Sequence, residues 1–367
     1  MRILYQAPVS FDWIRQRPHF VAEGLANLGH SVLWFYTTRL DQLAFRHRKI
    51  TDCLNVLEVP ILPFASRCRL IKWLNRLWIA RVLHRTQCDL TIVTHPTTAL
   101  WLPRHLRMRV VYDCMDIQTA FFKGCKKQRM QRAETLIVNQ AVGIIASSEH
   151  IKVHLEAHYA VPAERITVIT NGANRLATAP LSPVPVHNPV IRYFGTISSW
   201  IDWAAVLFAA KKHTEWSFDF YGPLDKRPPI AVAQQRNIHF HLPVPHNKLF
   251  GLMSSASALI IPFIRNELIE GVDPVKMYEY LQTGRPIVSA WWPQLDRFQE
   301  LPALSFYRKA ADFPLLLEKA LAQTQTYDPP WDFLSQSFWP QKIAKFNQCL
   351  LNAQVKRNAL CPEPNIP

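Results

Sequence analysis

The chain lacks the features that would place it in an oxidising compartment or across a membrane. Its seven cysteines are scattered, and none forms a CxxC pair. Such a set argues against a disulfide framework or a zinc ribbon and favours reduced thiols. No stretch approaches the roughly eighteen consecutive apolar residues of a spanning helix. The apolar run at residues 3–7 is too short for a secretion signal, so we expect a cytoplasmic protein.

Acidic residues and glycines are also scarce. The 27 Asp and Glu residues face 42 Lys and Arg, which gives a net charge of +15. This charge suits nucleic acid, acidic lipid or a phosphorylated small molecule, and composition does not choose among them. Only ten glycines occur. Five of them fall at predicted strand or helix ends, where a loop that approaches a ligand closely needs glycine: Gly172, Gly195, Gly222, Gly271 and Gly284.

The 367 residues alternate strand and helix signals and are long enough for two domains. A Pro-rich linker, residues 179–189, separates a first half, 1–178, from a second, 190–338. The apolar runs lack period-2 alternation, as in a covered parallel sheet. The sequence therefore predicts an α/β fold of two Rossmann-like doubly wound domains facing across a cleft, with ligands at the carboxyl ends of the strands. A last helix is predicted near 341–352.

Residues 273–289 predict a short helix followed directly by a buried strand. Asp273 suits the N-cap, Pro274 the first turn, and Gly284 a left-handed end. On this helix Lys276 and Glu279 should lie together, beside a packing face of Met277, Tyr280 and Leu281. An acid and a base held there suit a ligand that carries both sugar hydroxyls and phosphate.

The same segment carries a family resemblance, in Pro274, Lys276, Tyr278, Glu279, Tyr280, Leu281, Gly284, Pro286 and Val288. It resembles the nucleotide-sugar signature of GT-B-fold glycosyltransferases, most of all the family 4-like members that assemble bacterial surface polysaccharides. The resemblance implies an acceptor domain at 1–178 and a donor domain at 190–338. It also implies that residues 339–367 carry a helix back to the first domain. In such enzymes the glutamate at the position of Glu279 hydrogen-bonds the donor ribose, while basic groups meet the diphosphate.

Other segments resemble further parts of the donor site. The loop with Gly195 and Thr196 resembles the first loop of the donor domain, but the family's following Arg…Lys pair is absent. That departure leaves Lys276 and Arg265 to neutralise phosphate. Asn171-Gly172 resembles the hinge motif of the family, and a plain turn explains it equally well. The family's upstream glutamate is displaced by one position, to Glu270. The implied donor-binding residues are Gly195, Thr196, Asn171, Gly172, Arg265, Glu270, Lys276, Tyr278 and Glu279.

In the first half, Arg15, Arg17 and His19 crowd positive charge between the first strand and the first helix. They resemble a Trp…Gln-Arg-Pro stretch of surface-polysaccharide glycosyltransferases, which implies a contact with acceptor or phosphate. A solvated basic loop beside a helix cap is the alternative.

Asp113 and Asp116 end another predicted strand with two carboxylates three residues apart. In an inverting transferase one of them would deprotonate an acceptor hydroxyl. In a retaining enzyme it would position acceptor or sugar while the leaving phosphate assists, and the pattern resembles that of the same subgroup. Helix capping by Asp116 is the alternative. His95 also ends a strand and is the next catalytic candidate, although a lone histidine is more often structural.

Residues 67–85 predict a helix rich in basic and aromatic residues and free of acids. Ile71, Leu74, Trp78 and Val82 should form one apolar stripe, widened by Leu70, Trp73 and Leu77. Such a helix suits an anionic membrane surface. A helix that covers the sheet, with its basic side outward, is an equal alternative.

These observations predict a glycosyltransferase that moves a sugar, most often a hexose, from a UDP- or GDP-linked donor to a hydroxyl of a cell-surface polysaccharide or glycolipid precursor. It would be cytoplasmic or peripheral on the inner face of the membrane, without a metal cofactor and without specific nucleic-acid binding. A nucleotide-sugar 2-epimerase of the same fold is one alternative. A non-catalytic basic protein that binds lipid or nucleic acid on a transferase shell is the other.

Overall fold

The computed structural model describes residues 1–39, 45–65, 68–176, 188–322 and 326–360. The chain divides into two compact units. The first comprises Met1–Asn171 and Trp339–Pro367, and the second comprises Gly172–Phe338. The boundary falls inside the Asn171-Gly172 motif. Most of the predicted linker, residues 179–187, lies outside the described residues.

The first unit is built on an eight-stranded sheet in the order β3-β4-β2-β1-β5-β6-β7-β8. All neighbours are parallel except β3 and β4. The inner strands are buried on both faces, as their continuous apolar runs predict. The strands are β1 (Arg2–Gln6), β2 (Ser31–Arg39), β3 (Arg46–Lys49), β4 (Leu54–Ile61), β5 (Leu90–Val93), β6 (Val110–Cys114), β7 (Gly143–Ala146) and β8 (Ile166–Val168).

Helices cover this sheet, and their ends follow local sequence signals. Gly29, at φ +84°, lies just beyond the end of the first helix, where a left-handed residue costs glycine little. The Ser148 hydroxyl accepts a hydrogen bond from the Ile151 amide and caps another helix. The helices are α1 (Arg17–Asn27), α2 (Arg69–Leu83), α3 (Pro96–Ala99), α4 (Arg104–Arg107), α5 (Gly124–Gln140) and α6 (Glu149–Tyr159), with 3-10 turns at Gln118–Phe121 and Ala163–Arg165.

The second unit contains a six-stranded parallel sheet in the order β11-β10-β9-β12-β13-β14. Its strands are β9 (Val190–Phe194), β10 (Ser217–Tyr221), β11 (Ile238–His241), β12 (Ala258–Ile261), β13 (Ile287–Ala290) and β14 (Leu304–Tyr307). Its helices are α7 (Trp203–Lys212), α8 (Ile230–Ala233), α9 (His246–Ser254), α10 (Glu267–Glu270), α11 (Val275–Leu281), α12 (Asp312–Ala322) and α13 (Trp331–Ser335), with a 3-10 helix at Pro293–Phe298.

The last helix, α14 (Trp339–Leu360), belongs to the first unit and is longer than predicted. It packs on α1: the Phe20 and Trp339 rings stack at 4.9 Å. A methyl group added at Gly24 would lie 2.6 Å from the Ile343 side chain, so the two helices touch closely. The prediction of two Rossmann-like domains with a C-terminal helix returning to the first is confirmed.

One local prediction, the N-cap of α11, needs correction. Helix α11 begins at Val275, and Pro274 is its N-cap in place of Asp273, which is buried. Helix α2 packs inward through Asn75, Ile79 and Leu83. The Asn75 side chain donates to the Leu62 carbonyl and accepts from its amide, so a polar residue stands at the centre of the buried face. In the described ranges, no helix is both long and apolar enough to cross a membrane.

Candidate functional site

Two glycines shape the carboxyl edge of the sheet in the second unit. Gly195 follows β9 with φ +140°, and Gly222 follows β10 with φ +151°. The Gly195 amide donates to the Tyr221 carbonyl at 2.9 Å. A methyl group at Gly222 would lie 2.1 Å from the Gly195 carbonyl oxygen. Only glycine therefore fits both positions, and the two loops lie backbone against backbone.

The Lys276 side chain reaches this edge from α11. Its Nζ lies 5.1 Å from the centre of the Tyr193 ring and 4.7 Å from that of Phe263. A methyl group at Gly195 would come within 3.2 Å of both Nζ and Cε of the lysine. The lysine ammonium therefore sits on an aromatic floor directly beside the Gly195 backbone. The sequence did not predict the contact of Lys276 with Tyr193 and Phe263. Only their position next to strand ends distinguishes these two rings from other aromatic residues of the core.

Burial moves the pKa values of both charged groups of α11 towards neutral pH. It lowers the pKa of Lys276 to about 8, against the opposing effect of Glu279. It raises the pKa of Glu279 to about 7, against the opposing effect of Lys276. Two half-buried groups of opposite charge thus share one helix face. Strongly shifted pKa values of this kind are typical of functional sites.

Tyr278, predicted to contact the donor, is fully buried instead. Its hydroxyl lies 3.1 Å from both carboxylate oxygens of Asp273 and accepts a hydrogen bond from Arg297 at 2.6 Å. Arg297 also pairs with Asp273. This buried network fixes the start of α11, so Tyr278 is a structural residue and the predicted contact is wrong.

Three further predicted donor residues, Thr196, Arg265 and Glu270, follow strands β9 and β12 of the second unit, whereas Asn171 belongs to the first unit. Arg265 pairs with Glu270 at 2.8 Å, and the Arg265 guanidinium lies 5.1 Å from the centre of the Trp291 ring. The Thr196 carbonyl accepts a hydrogen bond from the Tyr193 hydroxyl at 3.0 Å. Arg265 and Glu270, both predicted to contact the donor, thus form an ion pair with each other.

In the first unit, Arg17 and Asp113 form a buried ion pair, with N···O distances of 2.9–3.1 Å. Arg17 also donates to the Ile169 carbonyl at 2.8 Å and contacts Asn171 Oδ1 at 3.4 Å. The two residues were predicted to have separate roles, as phosphate contact and catalytic base. Both side chains are almost entirely inaccessible to solvent and neutralise each other's charge. This corrects the predicted phosphate contact of Arg17 and the predicted catalytic role of Asp113.

Asp116 and His95 stay near solvent at the carboxyl ends of the neighbouring strands β6 and β5. Burial raises the pKa of Asp116 to about 7, with Arg17 opposing the rise and Asp113 adding to it. Burial lowers the pKa of His95, whose Nδ1 lies 3.1 Å from the Thr97 hydroxyl. A half-buried carboxyl that titrates near pH 7 can act as a general base.

His19, in the first turn of α1, and Arg15, just before the helix, have roles other than the predicted phosphate contact. His19 is buried, and its Nδ1 accepts from the Gln16 amide at 3.1 Å. Burial lowers the pKa of His19, so a neutral ring that caps the helix replaces the predicted phosphate contact. Arg15 is exposed and pairs with Glu23.

No group of three or more His, Cys, Asp or Glu among the described residues could hold a metal ion. Each unit thus contributes its own candidate group. The second unit holds a donor-side group of Gly195, Lys276 and Glu279, and the first unit holds the Asp116 carboxyl group.

Comparison with known proteins agrees with this architecture. Residues 19–175 match the family Glycosyltransferase Family 4. The "Putative teichuronic acid biosynthesis glycosyltransferase TuaH" of Bacillus subtilis (strain 168) is 23% identical over 241 residues, 60% of each chain. The match thus spans less than two thirds of that relative.

Solved structures show the fold. Sucrose-phosphate synthase from Thermosynechococcus elongatus matches with a TM-score of 0.68 at 13% identity, over 98% of this chain and 94% of that one. Anabaena HepE, in complex with UDP and glucose, matches with a TM-score of 0.65 at 15% identity, over 94% and 99%. The GT-B fold predicted from the sequence is confirmed.

Proposed function

We propose that this chain, a glycosyltransferase family 4-like protein of the GT-B fold, moves a sugar from a UDP- or GDP-sugar to a hydroxyl of a surface polysaccharide or glycolipid precursor. The observation that carries the proposal is the pair of Lys276 and Glu279 on one face of α11, with the lysine ammonium against the Gly195 backbone.

On the donor side, each group has a separate task. Gly195 leaves room for a diphosphate to approach the main chain. The Lys276 ammonium meets the phosphate charge, and its low pKa means that donor binding should draw a proton onto the lysine near pH 8. Glu279, once ionised, accepts hydrogen bonds from the ribose hydroxyls. We propose that Lys276 supplies the positive charge that the departing diphosphate needs, so the protein requires no metal cofactor.

On the acceptor side, we propose that Asp116 takes the proton of the attacking hydroxyl, with His95 as the second candidate. A base with a pKa of about 7 is half ionised at neutral pH and still basic enough to accept a proton. The proposed setting is the cytoplasm, at the inner face of the membrane, without specific nucleic-acid binding.

A donor screen tests the proposal. Purified protein is incubated with UDP- and GDP-sugars, with and without a membrane extract as acceptor, and released nucleotide and sugar products are identified by mass spectrometry. Nucleotide release that depends on the extract, with sugar incorporated into it, is the expected result. An epimerised donor formed without acceptor would replace the proposal by an epimerase. If neither UDP nor GDP raises the melting temperature, the proposed donor site is wrong.

A further inference from the structure

Helix α2 has a second apolar face that the first unit leaves exposed. We call it the α2 outer face; it consists of Leu70, Trp73, Leu74, Leu77 and Trp78. Leu70 is 62% exposed, Trp73 55% and Leu77 48%. At 100° per residue, Leu70 lies about 180° around the helix from the buried Ile79. Four of these large apolar side chains thus point away from the core, although single exposed apolar residues are the usual case. The fifth, Trp78, lies at the edge of the face, where its indole N–H donates to the Pro60 carbonyl at 3.1 Å.

Positive charge surrounds this face. Residues 69–83 contain Arg69, Lys72, Arg76 and Arg81 and no acid. Burial lowers the pKa of Lys72, and the cations of Arg129 and Arg76 lower it further. Positive charges on α2 and α5 are therefore close enough to repel one another.

A similar effect links α2 with α4. Burial lowers the pKa of Arg107, and Arg76 and Arg104 lower it further. Basic residues of α2, α4 and α5 thus form one positively charged region. The α2 outer face lies beside this region. A second copy of the chain would bring like charge against like charge there. A nucleic acid would use the cations and leave the leucines and tryptophans without a partner.

We propose that the α2 outer face docks on an anionic lipid bilayer, with Trp73 and Leu77 in the acyl boundary and the surrounding arginines on the headgroups. Interfacial helices combine these same two features, an apolar side and flanking basic residues. The proposal deepens the proposed function, since it names the surface that would bring the protein to a lipid-linked acceptor. Its test needs neither donor nor turnover, so the two can fail separately.

The test is flotation of the full-length protein with vesicles of phosphatidylglycerol and phosphatidylcholine in equal parts, beside vesicles of phosphatidylcholine alone. The double variant Trp73→Gln/Leu77→Gln removes the centre of the apolar face at exposed positions, so the fold should persist. The matched control is Val153→Gln/Val355→Gln, which changes two residues exposed on other helices of the unit. Circular dichroism checks that both variants fold.

We expect wild type to float with the anionic vesicles and not with the neutral ones. The Trp73/Leu77 variant should bind at least about tenfold more weakly, because burial of one large apolar side chain alone is worth about that factor. The control variant should bind like wild type. Moderate salt should weaken the binding without abolishing it, since screening affects only the ionic part. Wild type that fails to float would overturn the proposal. So would a Trp73/Leu77 variant that binds undiminished, since charge alone would then explain the binding, as it would for nucleic acid.

Discussion

Replacing Lys276 by methionine should weaken UDP binding and leave the free protein at least as stable as wild type. Methionine keeps most of the stem that packs on Tyr193 and Phe263 but removes the ammonium next to Gly195. Hydrogen bonds to charged groups contribute about 1.5–3 kcal/mol, so the dissociation constant for UDP should rise about 10- to 100-fold.

The gain in stability follows from the cost of burying the lysine charge. The pKa of Lys276 falls from 10.5 to about 8, which corresponds to about 3 kcal/mol at neutral pH, where the lysine is charged. Loss of the two ring contacts offsets about 1 kcal/mol. The variant should therefore have a free energy of unfolding about 1–3 kcal/mol above wild type. Because the folded pKa lies below the unfolded one, this cost is full below pH 8. It disappears as the pH rises towards 10.5.

Urea denaturation and UDP titration by calorimetry measure the two effects on the same samples. The matched control is Lys211→Met, which makes the same change at an exposed lysine of α7 in the same unit. The control should change neither quantity. A Lys276→Met protein that is destabilised and still binds UDP like wild type would refute the reasoning, because the lysine would then hold the fold and not the nucleotide.

Three further changes separate the roles assigned to the site. Asp116→Asn should lower the rate of sugar transfer by about 100-fold or more and leave UDP affinity unchanged. The wild-type rate should rise with pH through about 7 as the carboxyl ionises. A rate that stays flat across that range would exclude Asp116 as the base. Glu279→Ala should weaken UDP binding about tenfold through lost ribose contacts, and unchanged calorimetric affinity would remove that assignment. Asp113→Asn removes the carboxylate that neutralises the buried Arg17 charge. Urea denaturation should therefore show a free energy of unfolding about 3–5 kcal/mol lower than that of wild type. A change below about 1 kcal/mol would contradict the buried pair.

Local periodicity was enough to predict most elements of the second unit. The alternation of strands and helices predicted for residues 190–338 agrees with the order β9, α7, β10, α8, β11, α9 and β12 at its start, and the helix and strand predicted at 273–289 agree with α11 and β13. Their ends carry strong signals, such as Asp202, whose carboxylate caps α7 by accepting from the Ala205 amide. The edge strands β3 and β14 were not predicted, since they are short and incompletely buried. Strand β4 was also missed, although it is long and largely buried.

The site was harder to predict because its contacts join distant parts of the chain. Arg17 and Asp113 are 96 residues apart, and nothing near either residue indicates the other. Tyr278 was misassigned because α11 is buried over more of its surface than one amphipathic face would give. For α2 the apolar stripe was found, but its direction was left open between a membrane surface and the sheet, since a pattern of apolar residues does not say which side meets the core.

Hydrogen–deuterium exchange with and without UDP tests the central claim most directly, since it locates the bound nucleotide on the chain. We predict slower exchange in two segments of the second unit, the loop of residues 194–198 after β9 and helix α11. Segment 13–19 of the first unit, where Arg17 and His19 are buried, should not change. Protection confined to the first unit, or none in the Gly195 loop and α11 at saturating UDP, would contradict the account.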